Sequence, residues 1–277
     1  MLLMVAVPAV AETAPAGMVA EQGGIVRAQA PQPGGKLTLD GKPVPMTPAG
    51  DYIIGFGRDA PASATLVWTP PGAAALMRTP PGAAAVQTWP VTVTPRQWRT
   101  QNLPTLPLRP VPDAEFEARR PGELAKVAAA RAEVSTLPYW RQSFIAPAKG
   151  PVTGVFGSQR IYAGTPSAPH AGLDIGAAAG APVVAPAAGV VRLAEGPFTL
   201  EGNLVMIDHG FGLVSAFLHL SRIDVKPGDV VKQGQQIGAV GRTGRATGPH
   251  LHWGVSWTDV RVDPAGLLKT GKHDDGR

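Results

Sequence analysis

The chain of 277 residues contains no cysteine. This absence excludes disulfide bonds and every metal site built from thiolates, and it leaves the redox environment of the protein undecided. A metal centre in this chain would have to be built from histidine and carboxylate ligands.

Long apolar runs are missing as well, and helical patterns are scarce. No stretch reaches the roughly 20 consecutive apolar residues that a membrane-spanning helix requires. The chain contains 34 glycines and 30 prolines, which argues against extended helices and favours strands, turns and linkers. The formal net charge of +5 suits an anionic partner, such as a nucleic acid, a membrane surface or a cell wall.

Composition divides the chain into five predicted segments: a leader (1–23), a β-sandwich-like module (24–98), a Pro-rich linker with a helix (99–143), a second β domain (144–268) and a polar tail (269–277). The leader is a short apolar run that ends in an A-x-A-like cleavage site at Ala9–Ala11, which predicts export to the periplasm or cell envelope. In the linker, Pro121 and Gly122 interrupt a helical pattern, so one helix is predicted to begin near them. A repeat, TPPGAAA, begins at Thr69 and again at Thr79 and is predicted to lengthen a hairpin loop.

Four of the six histidines lie in three short strings of the second β domain. The strings are HAGLD, FLHL and PHLHWG, and their candidate residues are His170, Asp174, His219, His250 and His252. Imidazole nitrogens and one carboxylate are the ligands that Zn²⁺ takes when a fourth position stays open for water. A single histidine on a strand is more often a packed residue, but the five together favour metal-assisted hydrolysis. The helical metalloprotease signature H-E-x-x-H is absent, which excludes that class of zinc enzyme.

Spacing indicates which of these side chains share a face. The region is rich in glycine, valine and isoleucine and has no helical period, so the strings are predicted to lie on strands or at strand edges. Residues two or four apart on a strand point to the same side. His250 and His252 are therefore predicted to face together, as are His170 and Asp174. Phe217 is predicted to share a face with His219.

The region from about Gly154 to Leu268 resembles the catalytic domain of the lysostaphin-type (LytM-type) zinc endopeptidases, which cut peptide bonds in peptidoglycan. The similarity rests on GVFGSQR, HAGLDI, APVVAPAAGVV, NLVMIDHG, the long stretch from FLHLSRIDV to PHLHWGV, and VDP. It implies a mainly β protein whose catalytic domain is a short-stranded antiparallel β-roll.

The resemblance also implies the roles of the five residues. His170, Asp174 and His252 would bind one Zn²⁺ per chain, and His219 and His250 would be the catalytic pair. The spacing alone does not distinguish His250 from His252 as the ligand. The implied substrate is a peptidoglycan peptide, with no nucleic-acid partner and no stable membrane insertion, and the oligomeric state stays open. The bond would be a D-Ala to diaminopimelate cross-link in a directly cross-linked wall, or a glycine bridge in others.

Phe217 departs from the family pattern, because many members carry tyrosine two residues before the equivalent of His219. A phenol there could donate a hydrogen bond near the site, and Phe217 cannot. Asp208, His209 and Asp263 are expected to form turns or caps, and His273 is expected to lie in the polar tail. Arg160, Arg242 and Arg245 are expected to border the groove or to lie in solvent. Trp253 and Trp257 are expected to pack in the core or to form a wall of the groove.

Two alternatives come from other functional classes. APAAGVVRLAEG and VKPGDVVKQGQQIGAVG resemble half-motifs of lipoyl and biotinyl carrier domains, but a carrier has no use for clustered histidines. A non-catalytic wall-binding protein, or an activator of cell-wall amidases, is the second alternative. The intact ligand set argues against it.

Overall fold

The computed structural model of the chain describes residues 17–72, 85–105 and 107–268. Its contacts divide the chain into two units, the first ending at Arg96 and the second beginning at Gln97. The predicted cleavage site, most of the TPPGAAA repeat and the polar tail with His273 lie outside the described residues. The prediction of a mainly β protein is confirmed.

The first unit contains seven described strands: β1 (Met18–Glu21), β2 (Ile25–Gln29), β3 (Lys36–Leu39), β4 (Lys42–Val44), β5 (Asp51–Gly55), β6 (Ser63–Thr69) and β7 (Gln87–Thr94). Five of them form a sheet in the order β1-β7-β6-β3-β4, and β2 pairs with β5. The sequence strings KLTLDG, YIIGFG, ATLVW and PVTV coincide with β3, β5, β6 and β7, whereas β1 lies within the segment predicted as a leader. In β6, Ala64, Leu66 and Trp68 are buried and the residues between them are not.

The second unit contains one α-helix and fourteen strands among its described residues. They are β8 (Thr100–Leu103), α1 (Asp113–Ala132), β9 (Val152–Gly154), β10 (Gln159–Tyr162), β11 (Thr165–Pro166), β12 (Gly172–Gly176), β13 (Pro182–Val184), β14 (Gly189–Phe198), β15 (Gly202–Gly210), β16 (Leu213–Leu220), β17 (Arg222–Ile223), β18 (Val230–Val231), β19 (Gln236–Ala239), β20 (His250–Trp257) and β21 (Val260–Val262). Short 3₁₀ turns cover Pro138–Arg141 and Pro264–Leu267.

The main sheet of this unit has the strand order β18-β14-β15-β16-β20-β12-β9. β12 pairs with the first part of β20, and β21 pairs with the last part. Its strand pairs are antiparallel. The central strands β15, β16 and β20 are almost continuously buried, as expected for a sheet covered on both faces. Two smaller sheets, β11-β10-β8 and β13-β19-β17, lie in the same unit.

Helix α1 begins eight residues earlier than the sequence predicts, at Asp113, and Pro121 lies inside it. Acidic side chains in the first turn, Asp113 and Glu115, favour this start through the helix dipole. Ion pairs then hold the helix on the sheet around the proline: Arg120 binds both carboxylate oxygens of Glu201, at 2.6 and 2.8 Å. These long-range bonds offset the backbone hydrogen bond that Pro121 cannot donate. No helix within the described residues is long and apolar enough to span a membrane.

Candidate metal centre and its groove

Neighbouring strands bring the predicted ligands together. β12 and β20 are paired so that Asp174 lies directly opposite His252. His170 lies on the loop at the edge of β12, one of the two positions expected for these strings, and its ring faces Asp174 as expected. The loop is fixed by two backbone hydrogen bonds of 2.8 Å, from the His170 N–H to the Ser158 carbonyl and from the Gly157 N–H to the His170 carbonyl.

Three ligand atoms converge at this point. Asp174 Oδ1 lies 2.9 Å from His170 Nε2 and 2.8 Å from His252 Nδ1, and the two nitrogens are 2.9 Å apart. All three residues are buried. Ligand atoms about 2.0–2.1 Å from a tetrahedral ion lie about 3.3 Å apart, so shifts of a few tenths of an ångström would admit a metal. The geometry therefore fits an ion with a fourth position left open.

The number of protons available to these atoms also points to a cation. His170 Nδ1–H donates to the Val155 carbonyl at 2.9 Å, so in the neutral ring it is Nε2 that carries no proton. Burial raises the pKa of Asp174, but the neighbouring rings of His170 and His252 outweigh it and hold that pKa far below its usual range, so Oδ1 is an ionised acceptor. Burial lowers the pKa of His252 to about 4, so its ring carries one proton at neutral pH. Three acceptor atoms share at most one proton, and a bound cation would satisfy them all.

His219 and His250 lie beside this cluster without joining it. Their ring centroids are 4.9 Å apart, and the centroid of His219 is 6.2 Å from that of His252. Each ring is oriented through Nδ1, which donates to the Thr243 carbonyl in His219 and to the Gly248 carbonyl in His250, at 2.8 and 2.9 Å. Nε2 is therefore the nitrogen left for chemistry in both rings.

Distance separates these two histidines from the three proposed ligands. Burial, followed by repulsion from His252 and His250, lowers the pKa of His219 to about 3, so His219 is neutral and its Nε2 is a hydrogen-bond acceptor. His250 Nε2 lies 3.8 Å from Asp174 Oδ1, which is beyond direct hydrogen bonding. Two rings with free Nε2 atoms at the edge of a ligand cluster can accept and return protons.

Phe217 does not share a face with His219, so the sequence-based prediction is wrong. Phe217 pairs with Val205, but Leu220 pairs with Asn203, so β16 contains one extra residue and forms a bulge there. His219 sits in the bulge with φ +64°, a left-handed conformation that is uncommon for histidine. The bulge aims His219 into the cavity, whereas the Phe217 side chain has no exposed surface.

Arg160 contacts the ligand cluster in a way that sequence reasoning missed. Its Nη2 donates to Asp174 Oδ2 at 2.6 Å, and its Nε donates to Gln101 Oε1 at 3.1 Å. Arg160 lies on β10 and Gln101 on β8, two strands that pair in parallel. The sequence indicates only that Arg160 borders a groove, because the pairing of β8 with β10 has no local signal.

A cavity of about 160 Å³ opens on the metal centre. His170, His219 and His252 form one part of its wall, and Arg160 and Arg245 another. Arg245 stacks over the Tyr162 ring at 4.2 Å and donates to the Leu108 carbonyl at 2.6 Å. The cavity is thus lined by arginines on one side and by candidate metal ligands on the other.

The other predicted candidates are structural. His209 is not in a turn: it is buried in β15, with ring nitrogens 2.7 Å from the Ala188 carbonyl and 2.9 Å from Ser215 Oγ. Asp208 accepts from the Gly210 N–H at 2.8 Å and binds Arg192 at 2.7 Å. Asp263 caps a 3₁₀ turn as predicted. Trp253 and Trp257 are both buried, and Arg242 is exposed.

Comparison with known proteins identifies the family. The model of peptidase family M23 matches residues 168–264. A crystal structure from Pseudomonas aeruginosa, of a protein assigned to peptidase M23, is 31% identical and superposes with a TM-score of 0.66, covering 89% of this chain and 94% of that one. The chain belongs to peptidase family M23. The M23 match contains the three strings HAGLD, FLHL and PHLHWG and thus all five candidate residues.

Two curated relatives match shorter parts of the chain. The peptidoglycan DD-endopeptidase ShyA of Vibrio cholerae is 40% identical over 130 residues, which are 46% of this chain and 29% of that protein. The DD-carboxypeptidase/endopeptidase Mpg of Neisseria meningitidis is 41% identical over 98 residues, which are 35% of this chain and 22% of that protein. The chain thus spans less than a third of the length of these curated relatives. Membership of a peptidase family removes the support for the carrier-domain alternative.

Proposed function

We propose that this protein is a zinc-dependent endopeptidase that hydrolyses peptide cross-links of peptidoglycan. The observation that carries the proposal is the convergence of His170, Asp174 and His252 with too few protons to satisfy them, beside two histidines oriented for proton transfer. Two imidazoles and one carboxylate are a usual ligand set for catalytic zinc. Membership of peptidase family M23 and the names of the relatives support a peptide bond of the wall as the target.

The residues around the ion supply positioning and proton transfer. When bound, zinc lowers the pKa of a coordinated water from about 15.7 to about 7 and polarises the scissile carbonyl. Nε2 of His219 or His250 accepts the proton of the attacking water and returns it to the leaving amine, which contributes roughly 10²–10⁴ in rate. The other ring would donate to the developing oxyanion from Nε2, which requires a proton on Nε2 as well as on Nδ1; loss of such a donor costs about 10²–10³. The carbonyls of Thr243 and Gly248 accept from Nδ1 in both rings and leave Nε2 for these roles.

The cellular setting follows from the substrate. A wall peptide places the protein outside the cytoplasm, in the periplasm or cell envelope, in agreement with the apolar segment before Ala9–Ala11. The net charge of +5 favours association with the anionic wall.

The test combines metal analysis with wall digestion. The purified protein should contain about one zinc per chain and release soluble peptides from peptidoglycan, and a chelator should stop the release until zinc is added back. Asp174→Ala and His252→Ala should lose both metal and activity. His219→Asn and His250→Asn should keep the metal and lose turnover, asparagine being chosen because it tolerates the left-handed backbone at position 219.

The exposed Arg242→Gln is the matched control and should behave as wild type. If His250→Asn empties the site while His252→Ala leaves it filled, the two roles are reversed. If the metal-loaded wild type releases nothing by itself but accelerates an amidase, the protein is an activator and the proposal fails.

A further inference from the structure

A second cavity, of about 130 Å³, lies between helix α1 and the main sheet. Val127 and Arg131 line it from the helix, and Arg261 lines it from β21. Its remaining wall is largely apolar and includes Leu204, Met206 and Ala216. Two guanidinium groups thus line one small cavity whose remaining wall is largely apolar.

The charges of these two arginines are compensated only in part, by the attraction of Glu201. Within the described part of the chain, neither Arg131 nor Arg261 forms an ion pair or a side-chain hydrogen bond, and the buried Nε of Arg131 has no acceptor. Glu201 also lines the cavity, but Arg120 already occupies both of its carboxylate oxygens. The cavity therefore holds two cations and a carboxylate that is already paired elsewhere.

An arrangement of this kind is costly without an anion. Burial, together with repulsion from Arg261, lowers the pKa of Arg131 to about 9, and burial lowers the pKa of Arg261. Buried charges are normally paired, because an unpaired charge loses its hydration without a partner in return. A guanidinium binds a carboxylate through two parallel hydrogen bonds, and the low dielectric of the apolar floor strengthens the attraction.

The cavity adjoins the candidate metal centre. Ala171, Glu201, Leu218 and His252 line both this cavity and the one that opens on the metal site. One side of the His252 residue therefore faces each space. A peptide bound with its scissile amide at the metal would have its neighbouring groups within reach of the arginines.

We propose that Arg131 and Arg261 form a carboxylate-binding subsite for the peptide substrate. The subsite holds a free, ionised carboxylate on a residue beside the scissile amide. This inference rests on the proposed function and narrows its substrate class. A cross-link through diaminopimelate carries such a carboxylate next to the amide, whereas the interior of a glycine bridge carries none.

The test uses the full-length, metal-loaded protein and a matched pair of peptides. Both contain a ketomethylene group in place of the scissile amide, so neither is cleaved; one has a free carboxylate beside that group and the other a carboxamide. Calorimetry should show that the carboxylate peptide binds at least tenfold more tightly to the wild type. In Arg131→Gln and Arg261→Gln the ratio should fall below about threefold, and in the double variant it should approach one.

Matched variants exclude a general loss of charge or of folding. Arg222→Gln removes an exposed arginine from a surface ion pair and should keep the full ratio. Arg131→Lys and Arg261→Lys should restore part of it, because lysine keeps the charge but not the paired hydrogen bonds. Melting curves show which variants are folded, and the two single variants, which lie on different elements, give independent readings.

Three results would overturn the subsite. The first is equal binding of the two peptides by the wild type, and the second is an unchanged ratio in a folded double variant. The third is inorganic phosphate binding that depends on both arginines without any discrimination between the peptides, which would identify a site for free anions. Wall digestion is measured separately, so a protein that digests wall material but binds both peptides equally refutes the subsite alone.

Discussion

The carboxylate of Asp174 divides its two oxygens between different partners. Oδ1 faces the two histidine ligands, and Oδ2 accepts a hydrogen bond from Arg160 at 2.6 Å. Because Arg160 is itself held by Gln101, the carboxylate has one orientation. A metal at this centre would meet a single oxygen of Asp174.

Arg160→Gln should therefore weaken metal binding without abolishing it. Loss of a residue that orients a ligand typically costs 10- to 100-fold in metal affinity, and we expect a loss of that order for zinc. Competition with a coloured chelator measures the dissociation constant, and Co²⁺ substitution reports the ligand geometry from its absorption bands. Arg160→Lys should fall between wild type and Arg160→Gln. An unchanged dissociation constant in Arg160→Gln would mean that the sheet alone orients Asp174.

Phe217→Tyr should destabilise the protein and leave specific activity unchanged. The Phe217 side chain is fully buried, so a tyrosine hydroxyl there would be enclosed without a partner, at about 1–3 kcal/mol. Thermal unfolding and the wall-digestion rate, measured on one preparation, separate stability from catalysis. Phe217→Leu, which adds no polar atom, is the companion variant. A tyrosine variant that is as stable as wild type and more active would place this position in the site after all.

At the scale of single residues, the sequence predicts which side chains carry the chemistry better than it predicts where those side chains point. His250 and His252 lie on a regular strand, and alternation places Leu251 in the core as expected. The same alternation fails for Phe217 and His219, because a bulge changes the phase between them. Bulges depend on the partner strand, and a single sequence contains no record of that pairing.

Among the elements, the edge strand β9 carries a glycine at the point where it passes the proposed ligand Asp174 of β12. Gly154 on β9 lies opposite Asp174, and a Cβ built on Gly154 would come within 2.5 Å of Asp174 Oδ2. That oxygen is the one bound by Arg160. Glycine at this position thus keeps the space in which the carboxylate and the guanidinium meet.

Gly154→Ala should reduce metal affinity as Arg160→Gln does, because the added methyl group must displace Asp174 or the edge strand. The expected loss in zinc affinity is at least 10-fold. Gly248→Ala is the matched control, since a Cβ there meets no atom within 4 Å. Normal zinc affinity in Gly154→Ala would show that β9 moves aside without disturbing the ligand.

Helix α1 shows which part of the fold the sequence could not predict. Local composition correctly predicts a helix within 99–143, but the proline moved the predicted start to the wrong place. The helix begins at Asp113 because distant groups hold it, among them Glu201 and the N–H of Thr199, which donates to Glu123 at 2.7 Å. Pairings across some 80 residues are not readable from local pattern.

For the whole molecule, the stretch between the two β regions is part of the unit that carries the site. β8 pairs with β10, and Val127 and Ala130 of α1 join an apolar cluster of the main sheet. The sequence predicts that Phe144–Leu268 binds zinc and folds alone. We propose that it needs the segment from Gln97 onward for full stability.

Constructing the two fragments tests this boundary. Residues 144–268 and 97–268 should both bind zinc, but the shorter fragment should be less stable, since it exposes the surface that α1 covers. Each buried apolar side chain exposed in this way costs about 1.5–3 kcal/mol. Denaturant unfolding of the metal-free fragments measures the difference. Equal free energies of unfolding would show that α1 is a spacer that adds nothing to the fold.

The chain has no cysteine, yet its metal centre joins positions that are far apart in sequence. His252 is 78 residues from Asp174 and 82 from His170. An ion held by all three would close a loop as long as those that disulfides close in secreted proteins. In the chain-entropy treatment of such loops, a link across about 80 residues restricts the unfolded chain by about 4–5 kcal/mol. The ion would thus act as a reversible cross-link, so that removal of the metal would loosen the fold as well as stop catalysis.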